Sequence, residues 1–90
     1  MSDTLAAMGQ RLAVLSPLRI DIEDESAAHR GHAGAASGGG HYRLTLVSAA
    51  FHGKNTVARH RLVYDALGEM MRGPIHALAI KALTPDEDSV

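Results

Sequence analysis

From Thr4 to Leu15 the large apolar residues fall at Leu5, Met8, Leu12 and Leu15, spacings of three and four that place one stripe on a helix. Ser2 or Asp3 is available as its N-cap. Pro17, which has no amide hydrogen, prevents the helix from continuing. In "LRIDIED", Leu18, Ile20 and Ile22 alternate with Arg19, Asp21 and Glu23, which predicts a strand with one dry face. The alternation returns in "HYRLTLVSA", where Tyr42, Leu44 and Leu46 stand opposite Arg43, Thr45 and Val47. That predicts a second strand, antiparallel to the first. Between the two, residues 27–40 ("AAHRGHAGAASGGG") hold five glycines and no large apolar side chain. Such a segment buries too little to offset its ordering entropy, so a flexible loop is expected.

"AFHGKNT" reads as a turn, with a short extra helical turn expected before a second long helix, and Asn55 or Thr56 can cap that helix. The helix is predicted from about Val57 to Met71, with Val57, His60, Val63, Tyr64, Leu67, Met70 and Met71 as its apolar stripe and Gly73-Pro74 as its stop. "IHALAIKAL" then predicts a third strand, with Ile75, Ala77 and Ala79 on one face and His76, Leu78 and Ile80 on the other. Thr84 to Glu87 can start a last short turn before a tail at 86–90. The order α-β-β-α-β predicts an α+β domain with a three-stranded sheet and helices on one face.

Ninety residues make one domain, 1–90, because a chain this short buries about 60–65% of its unfolded surface and cannot divide that between two cores. With one Phe, two Tyr and no Trp, the core must be aliphatic. A net charge of −1 supplies no global field toward nucleic acid or membrane, and no apolar run approaches the roughly 18 residues of a membrane span. The N-terminus lacks a basic and apolar leader pattern, so a cytoplasmic protein is expected. The absence of cysteine excludes disulfides, a thiol nucleophile and a self-contained thiolate-ligated cluster. No Ser-His-Asp, phosphate-loop or dinucleotide-binding pattern occurs, and the carboxylates Asp21, Glu23 and Glu25 share a strand face without a nucleophile nearby. Enzyme chemistry has no support.

Six histidines remain as candidate ligands. His29 and His32 lie in the glycine-rich loop with His41 beside it, and each can equally be solvated filler. His76 opens the third strand, where an edge histidine bonded to backbone is the plainer reading. His60 falls on the predicted buried stripe and reads as a structural core histidine. Lys54, Arg59 and Arg61 form a basic cluster near the start of the second helix, suited to phosphate or simply a solvated helix end.

Asp24-Glu25-Ser26 followed after two intervening residues by His29, "HYRLTLVSAAFHGK" (His41 to Lys54), "RHRLVY" (Arg59 to Tyr64) and "IHALAIKALTP" (Ile75 to Pro85) together resemble the BolA family. The resemblance runs from Leu5 to about Asp86 in the family's order, departing in the heavier glycine content of the loop and the abbreviated tail. It implies a type II KH-like α+β fold without the GxxG loop of RNA-binding KH domains. It also implies a partnership with a monothiol glutaredoxin and a shared [2Fe-2S] cluster, in cluster maturation or transfer or in iron sensing. One ligand of that family comes from the loop between the first two strands and the other is the histidine at the start of the last strand. By position these are His29 and His76, with His32 and His41 as rivals for the loop role. A chain without cysteine can offer only imidazoles, leaving the thiols to the glutaredoxin and to glutathione. The isolated chain is then expected to be apo and monomeric. Assembly is expected to weaken as pH falls toward the ordinary imidazole value near ~6.5, since a protonated ring cannot ligate. The alternative implied by the resemblance is a DNA-binding transcriptional regulator using Lys54, Arg59 and Arg61. A third reading is a metal-free protein adaptor.

Overall fold

The computed structural model of the chain describes residues 3–26 and 40–88. The elements follow the expected order: α1 (Asp3–Leu12), β1 (Arg19–Asp24), β2 (Gly40–Val47), α2 (Thr56–Leu67), β3 (Ile75–Leu83) and a four-residue α3 (Pro85–Asp88). Single 3-10 turns follow α1 (Ala13–Leu15), β2 (Ala49–Phe51) and α2 (Gly68–Arg72). The sheet has the order β1-β2-β3; β1 pairs antiparallel with β2 and β3 runs parallel to β2. A parallel partner needs a crossover, and α2 supplies it.

The alternation of β2 decides where the core sits. As the central strand it turns Tyr42, Leu44 and Leu46 inward onto Met8 and Leu12 of α1 and Val63 and Leu67 of α2, all buried in one cluster. Ile20 and Ile22 of β1 add to its margin. Phe51, in the turn after β2, is completely buried. Ser48 holds that turn: its Oγ accepts the Ala50 N–H at 3.0 Å and donates to the Leu15 carbonyl at 2.5 Å, pinning the end of the α1 segment.

Asn55 is the N-cap of α2, its Oδ1 accepting the Ala58 N–H at 2.9 Å. The α-helix stops at Leu67, earlier than the sequence predicts, because Gly68 takes φ +57° and its N–H turns back to the Tyr64 carbonyl. The positive φ is a conformation glycine adopts without penalty. Residues 68–72 then tighten into a 3-10 turn. The predicted stripe also needs correcting. Val63, Leu67 and Met70 are buried, but Val57 is 66% and Tyr64 41% exposed, and His60 is half-buried beside them. At about 100° per residue these three lie on the flank of the buried arc, beyond the sheet's cover. His60 therefore lines a shallow outward groove with Val57, Arg61 and Tyr64 and is not the inward histidine the periodicity suggests.

In β3 the predicted faces hold from Ala77 to Ile80 and are corrected at Ile75 and His76. Leu78, Ile80 and Ala82 pack against the core while Ala77, Ala79 and Lys81 are exposed, yet Ile75 is buried with the core. The register steps between Gly40↔Ile75 and His41↔Ala77, so His76 is the extra residue of a bulge and the inward parity changes there.

The C-terminal turn α3 joins two elements. Thr84 and Glu87 form a reciprocal cap: the Thr84 N–H donates to Glu87 Oε1 at 2.8 Å and the Glu87 N–H to Thr84 Oγ1 at 3.3 Å. Glu87 also receives Arg59 of α2 at 2.6 and 3.2 Å, and Asp88 receives Arg19 of β1 at 2.7 Å. The Arg59 hydrogen bond, followed by that from the Thr84 backbone, lowers the Glu87 carboxyl from 4.5 to about 2. A depressed carboxyl stabilises the fold fully above its unfolded value and loses that contribution as pH falls through the folded one. Glu87→Gln is accordingly expected to lower the urea midpoint at pH 7, with the gap to wild type closing as pH drops from about 4.5 toward 2. A gap that stays constant over that window would mean that the ion pair adds nothing.

Candidate metal centre

The bulge in β3 brings two histidines together. Tyr42 faces the core, so its neighbour His41 faces the opposite side of β2, and the extra residue His76 lies exposed beside it. Their ring centroids are 5.2 Å apart with planes inclined by 49°. His41 is half-buried, its Nε2 shielded from solvent.

Both positions are held by short hydrogen bonds. The His41 N–H donates to Ser26 Oγ at 3.1 Å, and its carbonyl accepts the Glu25 N–H at 2.7 Å. Ser26 is itself fixed, its N–H donating to Asp24 Oδ1 at 2.9 Å in a tight side-chain turn. Hydrogen bonds from the Ser26 side chain and backbone hold the Asp24 carboxyl below the usual carboxylate range. On the other side the Gly40 N–H donates to the Pro74 carbonyl at 2.8 Å, setting the start of β3 against β2. A Cβ at Gly40 would overlap the Tyr42 ring, so the close approach requires glycine.

His29 and His32 lie outside the described residues, as does the loop 27–39 between the strands; Gly40, assigned to that loop from composition, is the first residue of β2. Among the described residues no group of three or more His, Cys, Asp or Glu could hold a metal ion.

At the start of α2, the basic cluster is smaller than the sequence suggests. Arg59 is committed to Glu87 and also donates to the Lys54 and Ala82 carbonyls at 2.8 and 3.0 Å, leaving its side chain 15% exposed. It serves the fold. Lys54 and Arg61 remain exposed. Sequence reasoning missed both the Arg59–Glu87 link and the Asp24–Ser26 turn. The T-P-D-E run signals a reciprocal cap, but nothing local links it to an arginine 28 residues away. No described helix is long and apolar enough to cross a membrane.

The profile of the BolA family, described as BolA-like protein, matches residues 12–87. BolA-like protein 1 of Mus musculus is 46% identical over 71 residues, covering 79% of this chain and 50% of that protein. The chain thus spans half the length of that relative. The DNA-binding transcriptional regulator BolA of Escherichia coli (strain K12) is 36% identical over 75 residues, covering 83% of this chain and 69% of its own. Among solved structures, the BolA domain of SufE1 from Arabidopsis thaliana superposes with a TM-score of 0.83 at 38% identity, over 97% of this chain and 98% of that one.

Proposed function

The chain belongs to the BolA family, and on that premise we propose that it is a non-enzymatic cytoplasmic protein that forms a heterocomplex with a monothiol glutaredoxin. In this reading the two share a [2Fe-2S] cluster, in cluster maturation or transfer or in iron regulation. The observation that carries this is the side-by-side placement of His41 and His76 in a chain with no cysteine. Imidazole pairs replace thiolates on one iron of such clusters, so the donor set here fits one half of a cluster. When bound, the group supplies a one-electron redox centre whose potential imidazole ligation raises. His76 offers a ring nitrogen at the exposed start of β3, and a second imidazole comes from His29, by family position, or from its rivals His32 and His41. The glutaredoxin thiol and glutathione complete the set.

Titrating the chain into cluster-loaded monothiol glutaredoxin, with visible circular dichroism read alongside size exclusion, tests the proposal. A co-eluting species with an altered cluster spectrum is expected. Unchanged spectra and separate elution would refute it.

The second reading is a DNA-binding regulator, favoured by the name of the Escherichia coli relative and by the exposed Lys54 and Arg61. With Arg59 engaged in the fold, two phosphate contacts give a salt slope of only about −2, or roughly tenfold in affinity between 50 and 200 mM salt. That is a weak electrostatic footprint.

A further inference from the structure

We infer that His41, fixed on β2, is the imidazole that acts with His76, so that the chain's two nitrogen ligands both stand on the sheet and are paired before any partner binds. This rests on the proposed shared cluster for its biological use, but the pairing itself stands on geometry. Two imidazoles on one first-row metal, each with a metal–nitrogen distance of about 2.0–2.1 Å, place their ring centroids roughly 4.5–5.5 Å apart. The observed separation is 5.2 Å.

The backbone explains why the pair is preset. His41 is anchored through its N–H to Ser26 and through its carbonyl to Glu25, while Gly40 ties the neighbouring turn to Pro74. The one-residue register step then leaves His76 with no residue of β2 directly opposite it, and its ring falls beside that of His41. Both ligands are then supplied by strand residues and none by the glycine-rich segment, so no ordering entropy for a ligand from that segment is drawn from the binding free energy. Positions on strands also hold a ligand more accurately than positions on loops. Ala77 and Ala79 are exposed next to the pair, so only small side chains border it along β3.

The test uses the full chain labelled with 15N-histidine, assembled with cluster-loaded monothiol glutaredoxin and reduced, and counts strongly coupled histidine nitrogens by pulsed electron paramagnetic resonance. Two are expected in wild type, one in His41→Gln and two in His29→Gln. One in His29→Gln with two in His41→Gln would overturn the inference while leaving the shared cluster standing. No coupled nitrogen in any sample would overturn both. A second measurement needs no variant: Zn2+ alone is titrated into the wild-type apo chain and the histidine ring nitrogens are followed by NMR. His41 and His76 are expected to shift together, with His52 and His60 unmoved. His76 shifting while His41 stays would overturn the pairing whatever the behaviour of the cluster.

Discussion

His76→Ala is expected to leave the chain folded and to remove its capacity to share a cluster. The side chain is exposed at a bulge and none of the described hydrogen bonds uses it, so its loss should change stability by no more than about 0.5 kcal/mol. The effect on the complex should be far larger. Four-ligand structural metal sites gain about 10–16 kcal/mol, or about 3 kcal/mol per ligand, which corresponds to roughly a 100-fold loss of affinity when one ligand is removed. The visible circular dichroism signal of the heterocomplex should accordingly revert to that of the cluster-loaded glutaredoxin alone, while far-ultraviolet dichroism and the urea midpoint stay near wild type. A variant that still shifts the cluster spectrum at wild-type concentrations would remove His76 from the ligand set. One that unfolds would show that the residue serves the bulge.

Phe51→Ala should have the largest effect on stability. Phe51 is the bulkiest of the fully buried side chains, packed with Met8, Leu12, Leu44, Leu46, Val63 and Leu67 in one cluster. Truncating a buried Phe costs about 3–5 kcal/mol, the transfer free energy of the lost atoms plus the cavity they leave. At about 0.05–0.15 kcal/mol per residue, a 90-residue domain has roughly 5–13 kcal/mol in total. The variant should thus retain a fraction of the native stability and melt well below wild type in urea followed by far-ultraviolet dichroism. A loss under about 1 kcal/mol would mean that the 49–51 turn does not close the core.

Phe51 also marks a limit of reading the chain linearly. It sits in "AFHGKNT", a stretch whose composition announces a turn, and periodicity says nothing about one large side chain in irregular backbone. The strands were legible because the alternation of β1 and β2 survives folding over most of its length: Tyr42, Leu44 and Leu46 are buried and Ile20 and Ile22 pack behind them, whereas Leu18 lies before β1 and is 72% exposed and Val47, on the other parity, is buried at the end of β2. Helix α2 was legible in existence but not in facing. Val57, His60 and Tyr64 fit an apolar stripe as well as Val63 and Leu67 do, and which arc is covered depends on where α1 and the sheet lie. Arg59 looked like a free cation because its partner Glu87 belongs to a different element. Strand β3 was placed correctly, and Leu78 and Ile80 do share a face opposite Ala77 and Ala79, but the pattern puts Ile75 and His76 on the wrong faces, since a one-residue bulge reverses parity and has no signature in "IHALAIKAL".

The sequence by itself determined the α-β-β-α-β order, through hydrophobic period and through the breaks at Pro17, Asn55 and Gly73-Pro74. It also determined that any shared iron–sulfur centre must draw its thiolates from elsewhere, since no cysteine is present. Only the tertiary structure decided that His41 and His76 meet. Their rings are neighbours because β3 runs parallel to β2 and slips by one residue at its start. That step is set by the pairing of two strands separated by a helix, and local preferences along the chain do not encode it.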